Sequence, residues 1–365
     1  MIAFFQSLGA FTLVLSPLVF FHELGHYLVA KSRGVGISCF SIGFGPQLFG
    51  WTDASGTRWK VSLFLLGGYV KMLGDADMAS STAERSEPFK ASNIKGETFH
   101  EQSPFGRMLI ALAGPFSNYL LAFVLFCSLL VSVGEPKYQA VVGELSPSSL
   151  AAKAGVQQQD RLLGEDGKAF THFGDFTTYL KEHPANHPLR VILERHSKQV
   201  PVLFAGNPKE TGTWLGKLGI PPHRSHRSYE PLSFEKAVST SLKLINPWTA
   251  LQSMTIKSMG GPIAIAQQAG SIWHEGWVSL LFFAASISAA LGFFNLLPIP
   301  FLDGGMVFFS VLELIIRRPL SQRAQEFIHI ITLFLLGGLF FWLSFQDILR
   351  IPSVLSLLKA IGISV

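Results

Sequence analysis

Two histidines four residues apart, with a glutamate beside the first, are the residues of this sequence best suited to do chemistry. Residues 20–26 read Phe-Phe-His-Glu-Leu-Gly-His. On a helix, His22 and His26 lie one turn apart on one face, so both imidazoles can reach a single ion. Glu23 sits beside that face, placed to hold a water and take its proton. Neutral imidazole suits zinc, and an ion with three protein ligands keeps a fourth position open, where zinc brings the pKa of water to about 7.

A third ligand must come from elsewhere in the chain, and Asp303 is the best candidate. It follows an uncharged stretch and sits in Asn-Leu-Leu-Pro-Ile-Pro-Phe-Leu-Asp-Gly-Gly, residues 295–305. Pro298 and Pro300 remove backbone donors and break a helix, which frees the chain to bend Asp303 inward.

The elements that must position these groups are apolar. Only 15% of the 365 residues are charged, against roughly 25% in an ordinary soluble domain. Residues 1–21, 108–134, 276–302 and 327–346 hold no Asp, Glu, Lys or Arg. About 20 apolar residues cross a bilayer as a helix, so the composition predicts a polytopic α-helical membrane protein with four transmembrane helices and excludes a purely soluble enzyme. Residues 1–21 are expected to be a span rather than a cleavable signal, for lack of a basic start and a small-residue cleavage site. His22, Glu23 and His26 continue directly from the first uncharged stretch, where ionisable groups are costly and usually functional. A net charge of +5 fits contact with the anionic headgroups of a lipid bilayer. No basic cluster interleaved with aromatics points to nucleic acid as a partner. Cys39 and Cys127 are expected as free thiols, since two cysteines make no disulfide framework.

Four spans put both chain ends on one side and the intervening segments on opposite sides. Lys and Arg near the span ends number eight on the side of residues 31–107 and five on the other, which assigns 31–107 to the cytoplasm and 135–275 to the outside. The first and third spans then both reach the cytoplasmic side at their C-terminal ends, so His22, His26 and Asp303 lie at similar depth.

The expected organisation is a first span with the metal motif over 1–30, a β-hairpin region over 31–75 and a cytoplasmic loop over 76–107. A second span follows over 108–134, then an α/β module over 138–205, and a linker with an amphipathic helix at 232–259 inside 206–275. The third transmembrane segment, 276–305, carries Leu-Asp-Gly, and the fourth span covers 327–346. In the hairpin region, 38–49 and 57–66 are rich in β-branched and aromatic residues, with a turn signal at 53–56 and a second at Gly67-Gly68. The apolar run 61–70 is too short to span and is expected to dip into the membrane beside protein. In the module, β-like runs at 140–142, 161–163, 190–193 and 200–204 surround helical runs at 150–154 and 173–181.

Other polar residues carry less. His223, His226 and His274 are expected to be exposed loop histidines, and His329 lies in the fourth span. Asn118 and Asn295 interrupt apolar stretches. They either bond between helices or grip an unwound substrate backbone.

With these motifs in place, the sequence resembles the site-2 protease family, in the branch of the bacterial regulator-of-sigma-E protease. The resemblance rests on His-Glu-Leu-Gly-His in the first span, Leu302-Asp303-Gly304 after the third, and Ala-Gly-Pro-Phe-Ser-Asn at 113–118 in the second. Gly-Phe-Gly-Pro at 43–46, Gly-Gly-Tyr-Val-Lys-Met at 67–72 and Gly-Gly-Pro-Ile at 260–263 also fit. It implies zinc held by His22, His26 and Asp303, with Glu23 as general base. It also implies a membrane-associated β-hairpin and one extracytoplasmic PDZ-like domain, with residues 146–156 fitting that domain's helix and turn. Asn118, Asn295, Pro298 and Pro300 become candidates for positioning substrate. The implied activity is intramembrane endopeptidase action, in the bacterial cytoplasmic (inner) membrane, on single-span transmembrane proteins such as anti-sigma factors, or on remnant signal peptides. The sequence departs from the family at Gln159, Ala290 and Met306, where Gly, Asn and His are usual. The competing class is a non-proteolytic membrane carrier or scaffold that binds metal. A carrier should line a path on both sides of its site with polar residues, whereas here the ligands gather near one end.

Overall fold

Helix α1 (Ile2–Ser32) begins the chain, and its 31 residues rise about 46 Å, enough to cross a bilayer. The computed structural model describes residues 2–74, 94–146, 149–164, 170–206, 213–223, 227–247, 261–318 and 322–349. Parts of several expectations lie outside the described residues: positions 76–93 of the loop, 147–148 of the helix-and-turn motif, 207–212 and 224–226 of the linker, and 248–259 of the amphipathic helix.

Gly34, at φ +80°, ends α1 in the left-handed region that glycine adopts without strain. Strands β1 (Ile37–Thr52) and β2 (Arg58–Met72) then pair antiparallel from Ile37 opposite Met72 to Thr52 opposite Arg58. Asp53 makes the turn. Its Oδ1 accepts from the backbone N–H groups of Ser55 and Thr57, at 2.8 and 3.0 Å. The expected second turn at Gly67-Gly68 is absent, because both glycines lie inside β2. They serve close packing instead: a side chain on Gly67 would strike the Phe44 ring, and one on Gly68 would meet the Ser41 carbonyl and Glu23. Phe40 is fully buried beneath Trp59, with ring centroids 4.3 Å apart, and with Tyr27 and Ile110 it ties the pair to the helices. Burying each such side chain contributes about 1.5–3 kcal/mol.

Helix α2 (Pro104–Ser132) follows. In the unit from Leu129 to Glu235, β3 (Glu135–Tyr138), α3 (Leu150–Lys153), β4 (Arg161–Leu163), α4 (Phe173–Glu182), β5 (Leu189–Arg195), β6 (Lys198–Phe204) and β7 (Arg227–Glu230) succeed one another. β4, β5 and β6 form an antiparallel sheet and β3 pairs with β7. In place of a strand at 140–142, Gln139, Val141 and Val142 form isolated bridges. Phe176, Leu162, Leu189 and Leu193 fill the core of this unit. Asp160, buried, receives a bidentate pair of bonds from Arg195 at 2.7 and 2.6 Å. Gln159 beside it holds φ +72°, a conformation glycine reaches more cheaply.

Helix α5 (Phe234–Leu244) buries Ala237 and Ser241 and exposes Phe234 and Leu242. Helix α6 (Pro262–Trp273) places Gly270 directly on Ser7 of α1, and its Ala269 joins Ala10, Val14 and Leu18 in a shared core. Helix α7 (Trp277–Leu296) ends before the expected limit of the third segment. Residues 297–302 form an irregular turn around Pro298 and Pro300, and α8 (Asp303–Ile316) starts afresh from Asp303. In α9 (Gln322–Leu349), buried Asp347 accepts the N–H groups of Gly261 and Ala264 at 3.1 and 2.9 Å and so caps α6. Among the described residues, four helical segments are long and apolar enough to cross a membrane: Phe5–Ser32, Pro104–Ser132, Trp277–Leu296 and Ile330–Leu349.

Candidate metal centre

Three helices supply one cluster. From α1, His22 and His26 stack edge to face with ring centroids 4.8 Å apart and bring their Nε2 atoms to 3.2 Å. From α8, Asp303 sets Oδ2 at 3.2 Å from His22 Nε2 and Oδ1 at 3.4 Å from His26 Nε2. Helix α2 backs the imidazoles. A Cβ on Gly114 would collide with His26 Nε2, so only glycine fits there. Ser117 Oγ donates to the Phe21 carbonyl at 2.8 Å, which holds α2 against the metal-motif turn of α1.

The turn ahead of Asp303 is tight. The Ile299 N–H bonds the Leu297 carbonyl at 2.6 Å, and Phe301 sits at φ +90°, a strained conformation for a residue with a side chain. Gly304 and Gly305 lie so close to the carbonyls of Leu296, Leu297 and Ile299 that any Cβ would collide. Asp303 therefore begins α8, where the positive end of the helix dipole favours a carboxylate.

Glu23 is partly buried and lies against β2, where a Cβ on Gly68 would meet its side chain. The only sequence sign of this approach is the glycine pair in β2.

The cluster fits a zinc ion on three counts. Two imidazoles and one carboxylate are the donor types zinc takes. In tetrahedral coordination with bonds of about 2.0–2.1 Å, neighbouring ligand atoms lie about 3.3–3.4 Å apart; the two Nε2 atoms are 3.2 Å apart, Asp303 meets them through different oxygens at 3.2 and 3.4 Å, and one ligand atom from each residue lies within 4.8 Å of the other two. Asp303 Oδ2 is buried and accepts no hydrogen bond, despite its closeness to His22. The tautomer of His26 suits the task too: with Nδ1 2.8 Å from the Ile110 carbonyl, Nδ1–H is the donor and Nε2 carries the lone pair.

The remaining expected site residues are placed less centrally. Asn118 is fully buried and its amide lies 3.1 Å from His22 Nδ1. It stands behind a candidate ligand. Asn295 is partly exposed near the end of α7, Pro298 is exposed and Pro300 partly buried in the turn before Asp303. His223 and His274 take no part in the cluster, which is the one three-residue metal group among the described residues. His226 and the side chain of His329 lie outside those described.

A polytopic helical protein with a His-Glu-x-x-His helix facing a carboxylate from a distant helix defines a membrane metallopeptidase class. Residues 10–339 match the model of Peptidase family M50. The chain is 35% identical over 338 residues to a Rhizobium meliloti protein named as a zinc metalloprotease, covering 88% of this chain and 90% of that one. A Campylobacter jejuni protein named in the same way is 31% identical over 357 residues, covering 94% and 93%. Metalloprotease MmpA of Caulobacter vibrioides is 30% identical over 390 residues, covering 96% and 97%. The chain belongs to peptidase family M50, the site-2 proteases, and is a metalloprotease integral to the membrane.

Proposed function

We propose that this protein is an intramembrane endopeptidase of the bacterial cytoplasmic membrane that cuts single-span membrane proteins, or remnant signal peptides, within or beside their transmembrane segment. Its cofactor is zinc, held by His22, His26 and Asp303. The observation that carries this reading is the meeting of those three side chains, at 3.2–3.4 Å, on helices apolar enough to lie in a bilayer. When bound, zinc supplies a Lewis acid for the scissile carbonyl and makes water nucleophilic near neutral pH.

Glu23 takes the proton of the attacking water and passes it to the leaving nitrogen. Strand β2, packed on Glu23 at Gly68, limits the freedom of that side chain. A transmembrane helix resists attack because its carbonyls are already bonded and covered. Pairing of the unwound segment with the β1–β2 hairpin, lying at the membrane, would hold it extended. Asn295, Pro298 and Pro300, in and beside the turn before Asp303, and Asn118 of α2 would steady that segment. The module at 138–205 is read as a PDZ-like domain on the extracytoplasmic side, which with α5 admits only substrates already trimmed outside.

The test is cleavage of a model single-span protein in vesicles, with the cut mapped by mass spectrometry. A cut inside the span, and cleavage of untrimmed substrate after deletion of 138–205, are expected. Cuts confined to exposed loops contradict the assignment, and unchanged selectivity after the deletion contradicts the filter.

A further inference from the structure

Asn118 is a fully buried amide beside the candidate metal centre. Nδ2 lies 3.1 Å from His22 Nδ1, while Oδ1 is buried with no hydrogen-bond partner. The two ends of an amide are nearly the same size, so either can face Nδ1. With Nδ2 there, the imidazole proton would reside on Nε2, the atom facing His26 and Asp303 at 3.2 Å. A neutral imidazole protonated on Nε2 cannot ligate through Nε2.

For Nε2 to ligate zinc, the His22 proton would have to sit on Nδ1, and the amide would then present Oδ1 rather than Nδ2 to it. Oδ1 would accept from Nδ1–H and gain the partner it lacks. Asn118 is well held for such a role. Its backbone carbonyl accepts from Ser288 Oγ of α7 at 2.8 Å, and Ser117 ties the same turn of α2 to Phe21. His26 already has the equivalent support from the Ile110 carbonyl.

We infer that Asn118 is a positioning residue for the metal, whose Oδ1 accepts the Nδ1–H of His22 in the zinc-loaded protein and fixes the tautomer that frees Nε2 to ligate. The inference rests on the assignment of His22 as a zinc ligand, and it makes the two histidines alike, each holding its Nδ1 proton against an oxygen of α2. An outer oxygen of this kind typically changes metal affinity by about 10–100-fold.

The experiment compares zinc affinity, by chelator competition, and the exchangeable imidazole N–H resonances of the cobalt-substituted full-length protein in detergent. It uses wild type, Asn118→Leu and Asn118→Asp. Leu matches the shape without an acceptor, whereas Asp offers only acceptors. Asn118→Leu is expected to bind zinc about 10–100-fold more weakly and to lose one of two shifted N–H signals. Asn118→Asp is expected to keep both signals and to bind zinc about as tightly as wild type. Wild-type affinity with both signals in the Leu variant overturns the inference. So does loss of a signal in the Asp variant, which decides the matter even if the Leu variant does not fold. His22→Ala separates the two levels: if that variant binds zinc like wild type, the ligand assignment itself fails.

Discussion

Gly68 of strand β2 packs directly on Glu23, since a Cβ at Gly68 would meet the Ser41 carbonyl and the Glu23 side chain. The strand that would receive an extended substrate and the group that would move its proton thus touch. Gly68→Ala is expected to lower peptide cleavage tenfold or more with bound zinc unchanged, and Gly174→Ala, where the methyl meets nothing within 4 Å, to stay within about threefold of wild type. Equal cleavage by all three, assayed on one substrate, would show that this contact does not matter to the base.

The approach of α2 to the imidazoles gives a second prediction. Alanine is a better helix former than glycine by about 1 kcal/mol, so Gly114→Ala should stabilise an ordinary helix. Here the new methyl strikes His26 Nε2 and meets His22 Cε1. The expected result is a zinc affinity lower by tenfold or more. Gly9→Ala, where the methyl meets nothing within 4 Å, should leave zinc binding unchanged. Equal affinities for the two variants, read by chelator competition, would place the histidines elsewhere.

Asp53 gives a pH dependence. Partial burial works to raise its pKa, but bonds from the Ser55 hydroxyl, the Trp59 indole and the N–H groups of Thr57 and Ser55 outweigh it and hold the carboxyl at about 2. A folded-state pKa below the unfolded one means the contribution is complete above the ordinary carboxylate range near 4. It is lost as pH falls through about 2. Amide-exchange protection at Ser55 and Thr57, corrected for intrinsic exchange, should therefore decline between about pH 4 and 2 in wild type. Asp53→Asn should be less protected at pH 7 and show no such decline. The same acid profile in both proteins would mean that the Asp53 charge does not hold this turn.

How much of this is legible in the sequence depends on whether the signal is local. The spans are readable because a folded chain rarely runs about 20 residues without a charge unless those residues cross a bilayer. His22 and His26 are readable because helical spacing alone puts them on one face. Asp303 is readable as a candidate, since two prolines and a lone carboxylate close an apolar run. Helix α8 is not: Asp303–Ile316 is too short to span and follows a break. The Gly67-Gly68 pair misleads because glycine serves turns and close packing equally well, and only the presence of Glu23 and Phe44 against β2 decides between them. Asn118 is visible as an odd amide in an apolar helix. Its partner depends on how α1 and α2 rotate against each other, which no local pattern encodes. Asp347 offers the same kind of clue, a charge at the end of a span, and its partner is the N-terminus of α6.

The central claim is that Glu23 moves protons at a zinc held by His22, His26 and Asp303. Zinc content and cleavage measured together on Glu23→Gln test it most directly. The predicted result is zinc at the wild-type ratio of one ion per chain and cleavage slower by about 10²–10⁴-fold. Cleavage at the wild-type rate by the zinc-loaded Gln variant would contradict it.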